Sequence, residues 1–190
     1  MEYGKDSTRQ PDVPQGVITK HEWKTQFFRT PDVMREYWIY VPAQYDPQTP
    51  IGLMVFQDGH SYVDETGWFR VPIVFDNLIH KQTIPPLIGL FINPGYTGSP
   101  PDNPWSSEFR SYEYDSLSDE YTRFLIEEII PEVGKHYNLA DDPKMRAICG
   151  LSSGGICAFT TAWERPDYFH KVLSHVGSFA DIRGGDRYPT

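Results

Sequence analysis

The chain has 190 residues, a length that suits one domain. Hydrophobic residues make up 39% and aromatic residues 15%, which is enough for a packed core and too much for a disordered tail. Seventeen Lys and Arg against 26 Asp and Glu give a net charge of −9 with no basic run, which argues against a nucleic-acid binder and against docking on an anionic membrane.

Residues 1–16 are polar, carry Pro11, Pro14 and Gly16, and read as an N-terminal arm or linker. They contain no apolar run of the kind a signal peptide needs. Val17 to Phe28 alternates and predicts a strand, Val33 to Val41 predicts a second, and Arg29–Asp32 between them predicts a hairpin turn. Leu53 to Phe56 is wholly apolar, as in a strand buried on both faces, and stops at the turn Gln57-Asp58-Gly59. Phe69 to His80 has helical spacing, with Val71, Val74, Phe75, Leu78 and Ile79 on one face.

Leu87 to Ile92 predicts another buried strand, followed by a loop rich in Pro, Gly, Ser and Asn to about Ser107. Tyr121, Phe124, Leu125, Ile129 and Val133 mark a long amphipathic helix with Ser118 as its N-cap, kinked or ended near Pro131. Met145 to Cys149 reads as a strand, Ser153 to Glu164 as a helix and Lys171 to Val176 as a strand. A hairpin followed by alternating strands and helices predicts an α/β fold, with a mostly parallel sheet and helices on both faces. No stretch is long and apolar enough to span a bilayer. Two cysteines, Cys149 and Cys157, exclude a disulfide scaffold or a four-cysteine zinc site and read as buried thiols.

The stretch Gly150-Leu151-Ser152-Ser153-Gly154-Gly155 contains G-x-S-x-G between a predicted strand and a predicted helix. That is the setting of a nucleophile elbow. Residues two before and two after the serine crowd such a turn, so both must be glycine. Ser152 has Gly150 and Gly154, whereas Ser153 has Leu151 on one side. Ser152 is therefore the candidate nucleophile. The competing reading is a glycine-rich turn with no chemistry. A phosphate-binding loop lacks its lysine, and a dinucleotide fingerprint lacks its spacing. An oxyanion hole needs two backbone N–H groups. Ser153, after the nucleophile, and His60, after the Asp58-Gly59 turn, are the candidates. The histidines after Ser152 are His170, just past a helix end, and His175, inside a predicted strand. Both read as structural rather than as a catalytic base.

The segments LMVFQDG (53–59), FINPG (91–95), RSYEYD (110–115), FLIEEIIPEV (124–133), CGLSSGG (149–155) and WERPDYFHKVLSHVGSF (163–179) carry a resemblance. From about Gly16 to Thr190 the chain resembles the esterase family of α/β-hydrolases that includes enterochelin, feruloyl and S-formylglutathione esterases and mycolyltransferases. The resemblance implies a three-layer α/β-hydrolase sandwich over residues 17–190, with an N-terminal antiparallel hairpin and the C-terminal strands missing. It implies a serine carboxylic-ester hydrolase acting through an acyl-enzyme on Ser152, with Ser153 and His60 as oxyanion donors. No metal or cofactor is expected, and the partner is a small-molecule ester. Family members place the acid and the histidine later than Thr190, while Asp181 and Asp186 come too early for the acid. The full triad is therefore expected to lie partly outside this sequence.

Trp105, Arg110, Tyr112 and Glu113 follow or sit in the long loop and are candidate pocket residues. Trp105 and Tyr112 would be an aromatic wall, and ion pairing is the alternative for Arg110 and Glu113. An acyltransferase of the same fold and a non-catalytic ligand-binding module remain alternatives. The polar arm resembles the segment after a removed leader in secreted members, which favours an extracytoplasmic location. The sequence sets no oligomeric state.

Overall fold

A computed structural model of the chain describes residues 2–26 and 32–188. Among these residues six strands form one sheet in the order β1-β2-β4-β3-β5-β6. The strands are β1 (Val17–Lys24), β2 (Met34–Val41), β3 (Gly52–Gln57), β4 (Leu87–Ile92), β5 (Arg146–Leu151) and β6 (Lys171–His175). β1 and β2 pair antiparallel, with Val17 opposite Val41, and β2 joins β4 antiparallel. β4, β3, β5 and β6 run parallel. The predicted strand β1 ends at Lys24 rather than Phe28. Most of the expected Arg29–Asp32 turn lies outside the described residues.

The apolar runs of β3 and β4 are enclosed because both faces of the sheet are covered. On one face Leu53, Val55, Ile88, Leu90 and Ile148 pack against Tyr114, Tyr121, Phe124, Leu125, Ile129, Cys157 and Ala158. Those side chains come from α3 (Arg110–Asp115), α4 (Glu120–Phe124), a π-helical turn at Leu125–Ile129 and α6 (Ser153–Glu164). On the other face Tyr40, Phe56, Phe91 and Cys149 pack against Tyr62 of α1 (Gly59–Val63) and Val71, Phe75 and Ile79 of α2 (Val71–His80). Helix-sheet-helix layering follows from this division.

Several helix boundaries differ from the sequence reading for physical reasons. α2 starts at Val71, not Phe69, because Pro72 suits a first turn whose N–H groups have no helical partner. The expected long helix from Tyr121 to Val133 is three pieces: α4, the π turn and α5 (Ile130–Gly134). Pro131 donates no hydrogen bond and crowds the carbonyl of Glu127 four residues back, and the wider π turn lies at that point. Ser118 does not cap this helix. The N-cap position is Asp119, without a side-chain cap bond.

Residues 2–16 lie against α2. Asn77 Nδ2 donates to the carbonyls of Asp6 (3.0 Å) and Thr8 (2.9 Å). Arg9 bridges Asp76 and Glu65, and the Gly16 N–H donates to Asp76 Oδ1 at 2.8 Å. Tyr40 also donates to that carboxylate, at 2.6 Å. Among the described residues no helix is long and apolar enough to cross a membrane.

Both cysteines are buried and unpaired as disulfides. Burial pushes the Cys149 thiol up to about 12 and the Cys157 thiol well above its ordinary value. A thiolate is the reactive form. Native protein is therefore expected to resist iodoacetamide at mildly alkaline pH and to take up two adducts once unfolded, read by intact mass.

Candidate active site

Four parallel strands deliver their carboxyl ends to one edge of the sheet. Gln57 stands opposite Ile92, Phe56 opposite Cys149 and Leu151 opposite His175. The residues that follow these strands are therefore neighbours: Asn93 after β4, Asp58 to His60 after β3, Ser152 after β5, and 176–178 after β6. Open α/β sheets bind ligands at this edge.

Ser152 sits between β5 and α6 with φ 55° and ψ −117°. Such backbone costs about 1–3 kcal/mol in a residue with a Cβ, and strain of this kind clusters at functional sites. The turn is held by main-chain bonds. Ser152 N–H donates to the His175 carbonyl at 3.0 Å, and Ser178 N–H donates to the Ser152 carbonyl at 3.0 Å. The glycines are required to different degrees. A Cβ on Gly150 would lie 2.0 Å from the Gly154 carbonyl oxygen, while one on Gly154 would lie 3.0 Å from Asp58 Oδ2 and 3.2 Å from Gln57 Cβ. Gly155 is also constrained, because its Cβ would meet Gly177 Cα and Ser174 Oγ at 2.9 Å.

The Ser152 hydroxyl lies 3.0 Å from Ser178 Oγ, its one hydrogen-bond partner among the described residues. Ser153 begins α6, so its N–H faces the open end of that helix. His60 stands at the start of α1, after Asp58 in left-handed backbone (φ 56°). A Cβ on Gly59 would fall 2.4 Å from the backbone of Phe91 and Ile92, so only glycine fits this approach to β4. The His60 N–H is engaged: it donates to Asn93 Oδ1 at 3.0 Å, and the same oxygen lies 2.9 Å from His60 Nδ1. A backbone N–H needs an oxygen, so Asn93 presents Oδ1 here, and Nδ1 of His60 is then the protonated nitrogen.

Two buried ion pairs underlie the site. Arg110 grips Asp58 through two bonds of 2.7 and 2.8 Å, and Asp58 lies directly under Gly154. Burial raises the Asp58 carboxyl above its ordinary range, against the pull of Arg110. Glu113 is enclosed and paired with Arg35, so its carboxylate faces a guanidinium rather than open space. Trp105 stands edge-on to His60, with the Arg110 guanidinium over its ring at 4.8 Å. Tyr112 belongs to a different depression, where it donates to Glu120.

A cavity of about 420 Å³ opens beside the elbow, lined by His60, Ser61, Asp64, Trp68, Phe69, Trp105 and Leu151. Its back wall continues into a column of rings. Phe69 stacks on His175 (5.5 Å, 1°) and on Tyr62 (4.2 Å, 23°), Tyr62 meets Phe56 at 5.1 Å, and Phe56 stacks on Phe91 at 4.8 Å. The column also engages the His175 ring. Its Nδ1 bonds Tyr62 Oη at 3.0 Å, and burial lowers its pKa. His170 is exposed beyond α6. Neither is hydrogen-bonded to the Ser152 hydroxyl. Sequence reasoning brought Ser152, Ser153, His60 and Trp105 to one edge. It did not find Asn93, directly after the predicted strand Leu87–Ile92, or Ser178, two residues past the predicted strand Lys171–Val176.

A six-stranded mixed sheet of this order, covered on both faces and with a strained serine at the β5–α6 turn, defines an α/β-hydrolase fold. The family model Esterase, described as "Putative esterase", matches residues 31–181, and the chain belongs to that family. The chain is 25% identical over 169 residues to the iron(III) enterobactin esterase of Dickeya dadantii, covering 89% of this chain and 34% of that protein. It is 25% identical over 157 residues to the uncharacterized protein YbbA of Bacillus subtilis, covering 76% and 57%.

Among solved structures, the enterobactin esterase from Shigella flexneri in the presence of enterobactin superposes with a TM-score of 0.73 at 22% identity. The match covers 91% of this chain and 40% of that one. A ferulic acid esterase from Anaeromyces mucronatus gives 0.67 at 20% identity, covering 88% and 61%. The chain thus spans less than two thirds of the length of these relatives.

Proposed function

We propose that the protein is a serine carboxylic-ester hydrolase in which Ser152 attacks the ester carbonyl and carries the acyl group. The observation that supports this most is the strained positive-φ backbone of Ser152 between Gly150 and Gly154 at the mouth of α6. Ser153 N–H, at the positive end of the α6 dipole, is positioned to stabilise the developing oxyanion. The His60 N–H is the second donor once it exchanges Asn93 Oδ1 for the substrate oxygen. Among the described residues no histidine is hydrogen-bonded to Ser152 Oγ, whose one partner there is Ser178. An aryl acyl group suits the Trp68, Phe69 and Trp105 walls of the adjacent cavity. The similar enterobactin and ferulic acid esterases accord with that choice.

A fluorophosphonate probe tests the nucleophile. Ser152→Ala is expected to abolish labelling and Ser153→Ala to retain it. Equal labelling of Ser152→Ala and the parent chain would overturn the assignment.

A further inference from the structure

We infer that Ser178 is a positioning residue for the nucleophile, its hydroxyl donating to Ser152 Oγ and stabilising the alkoxide as it forms. The inference rests on the Ser152 reading above.

The 175–178 turn brackets Ser152 from both sides of its peptide. It accepts the Ser152 N–H at the His175 carbonyl and gives the Ser178 N–H to the Ser152 carbonyl. With the main chains locked in this way, the two hydroxyls come to 3.0 Å. The approach is costly to build. Val176 has φ 40°, a genuine outlier for a β-branched residue, and the residue is 80% exposed, so packing does little to offset the strain. A Cβ on Gly177 would lie 2.5 Å from Ser174 Oγ and 2.7 Å from the Phe179 ring, so both side chains would have to shift to admit one. Strain persists where the surrounding structure over-determines it. Here the surrounding structure is the set of bonds that seats Ser178 on Ser152.

The direction of the bond follows from the reaction. An attacking serine gives its own proton to a base, so its O–H must point at that base. The remaining lone pairs of Ser152 Oγ are then open to a donor, and Ser178 O–H is the donor within reach. A hydrogen bond to a forming alkoxide is charge-assisted and stronger than one to the resting hydroxyl, so it favours the transition state over the ground state.

The titratable and charged groups around the turn have other partners. His175 faces Tyr62 and Phe69, Asp58 pairs with Arg110 beneath α6, and His60 bonds Asn93. Asp181, Arg183, Asp186 and Arg187 on the following segment are exposed.

The test is the rate of fluorophosphonate labelling of the whole chain across neutral and alkaline pH, with the modified peptide identified by mass spectrometry. In this step Ser152 Oγ bonds phosphorus, fluoride leaves and solvent base takes the hydroxyl proton. Ser178→Ala is expected to label about ten- to hundredfold more slowly, with the rising limb of its rate–pH profile moved to higher pH. Ser178→Thr, which keeps the hydroxyl, is expected to label near the parent rate. An alanine variant with the parent's rate overturns the proposal. So does a slower one whose limb has not moved, or a threonine variant as slow as alanine. Continued labelling of Ser152→Ala is a separate result, in which the nucleophile reading itself fails.

Discussion

Glu113→Ala is expected to remove about 3–5 kcal/mol of stability and to lower the melting midpoint by about 10 °C or more. Arg35 and Glu113 have fully enclosed side chains and are joined by bonds of 3.0 and 3.1 Å. The guanidinium lies on the Phe124 ring at 4.1 Å, and the Gly95 N–H also points at the carboxylate. Burial works against the Arg35 charge, and Glu113 more than restores it, leaving the guanidinium pKa above its ordinary value. Taking away the carboxylate leaves a cation in the core with its main partner gone. The cost is that of the stranded charge, not the net worth of the pair. The double variant Arg35→Met, Glu113→Leu is therefore expected to recover most of the loss. Glu127→Ala, which breaks the half-exposed pair with Arg123, is expected to leave the midpoint unchanged. Thermal melts of these variants followed by circular dichroism decide the point. A Glu113→Ala midpoint within a degree or two of the parent would contradict the account.

Gly150→Ala should cut labelling of Ser152 by about a hundredfold or more, the scale expected when a reacting group is displaced by about an ångström. A methyl group there would lie 2.0 Å from the Gly154 carbonyl oxygen and 2.2 Å from its carbon. Both atoms belong to the first turn of α6, which has no flexible end to give way. Relief must come from opening the β5–α6 turn, and that displaces Ser152 from its place at the start of α6. Gly154→Ala is the instructive contrast. Its methyl group would stand 3.0 Å from Asp58 Oδ2, a side-chain oxygen held by Arg110 that can yield by a few tenths of an ångström. The expected order of damage is Gly150 above Gly155 above Gly154. Labelling of Gly150→Ala at the parent rate would show that the turn tolerates what this geometry forbids.

Strand β4 and helix α6 were legible to the residue because punctuation and pattern agree. Leu87–Ile92 lies between Pro86 and Asn93-Pro94, and Ser153–Glu164 lies between the Ser152 turn and Arg165-Pro166. The short helices α1 and α3 were not legible. Five or six residues span too little of a helical period to show one, and both are fixed by tertiary contacts: Gly59 against β4, and Arg110 and Glu113 by their buried partners. Within the site, Ser152 was legible because its glycines are local. Ser178 was hidden 26 residues downstream, in a turn whose role exists only because β5 and β6 end side by side. Arg110 and Glu113 look alike in sequence, as charged residues beside a loop. Only the fold shows that both charges face buried partners.

The ring column behind the cavity has an optical consequence. Rings fixed against one another in a chiral frame give near-ultraviolet circular dichroism, and lose it when packing loosens even if the helices survive. Tyr62 is held between Phe69 and Phe56, and Tyr40 is set edge-on to Phe75 at 5.6 Å in the same layer. One end of this absorbing layer is the wall of the cavity beside Ser152, and the other is the sheet interior. A molecule that enters the cleft and shifts Phe69 perturbs chromophores already locked in register with the core. The protein therefore carries its own spectroscopic gauge of cleft occupancy, readable without a label and independent of whether any bond is broken.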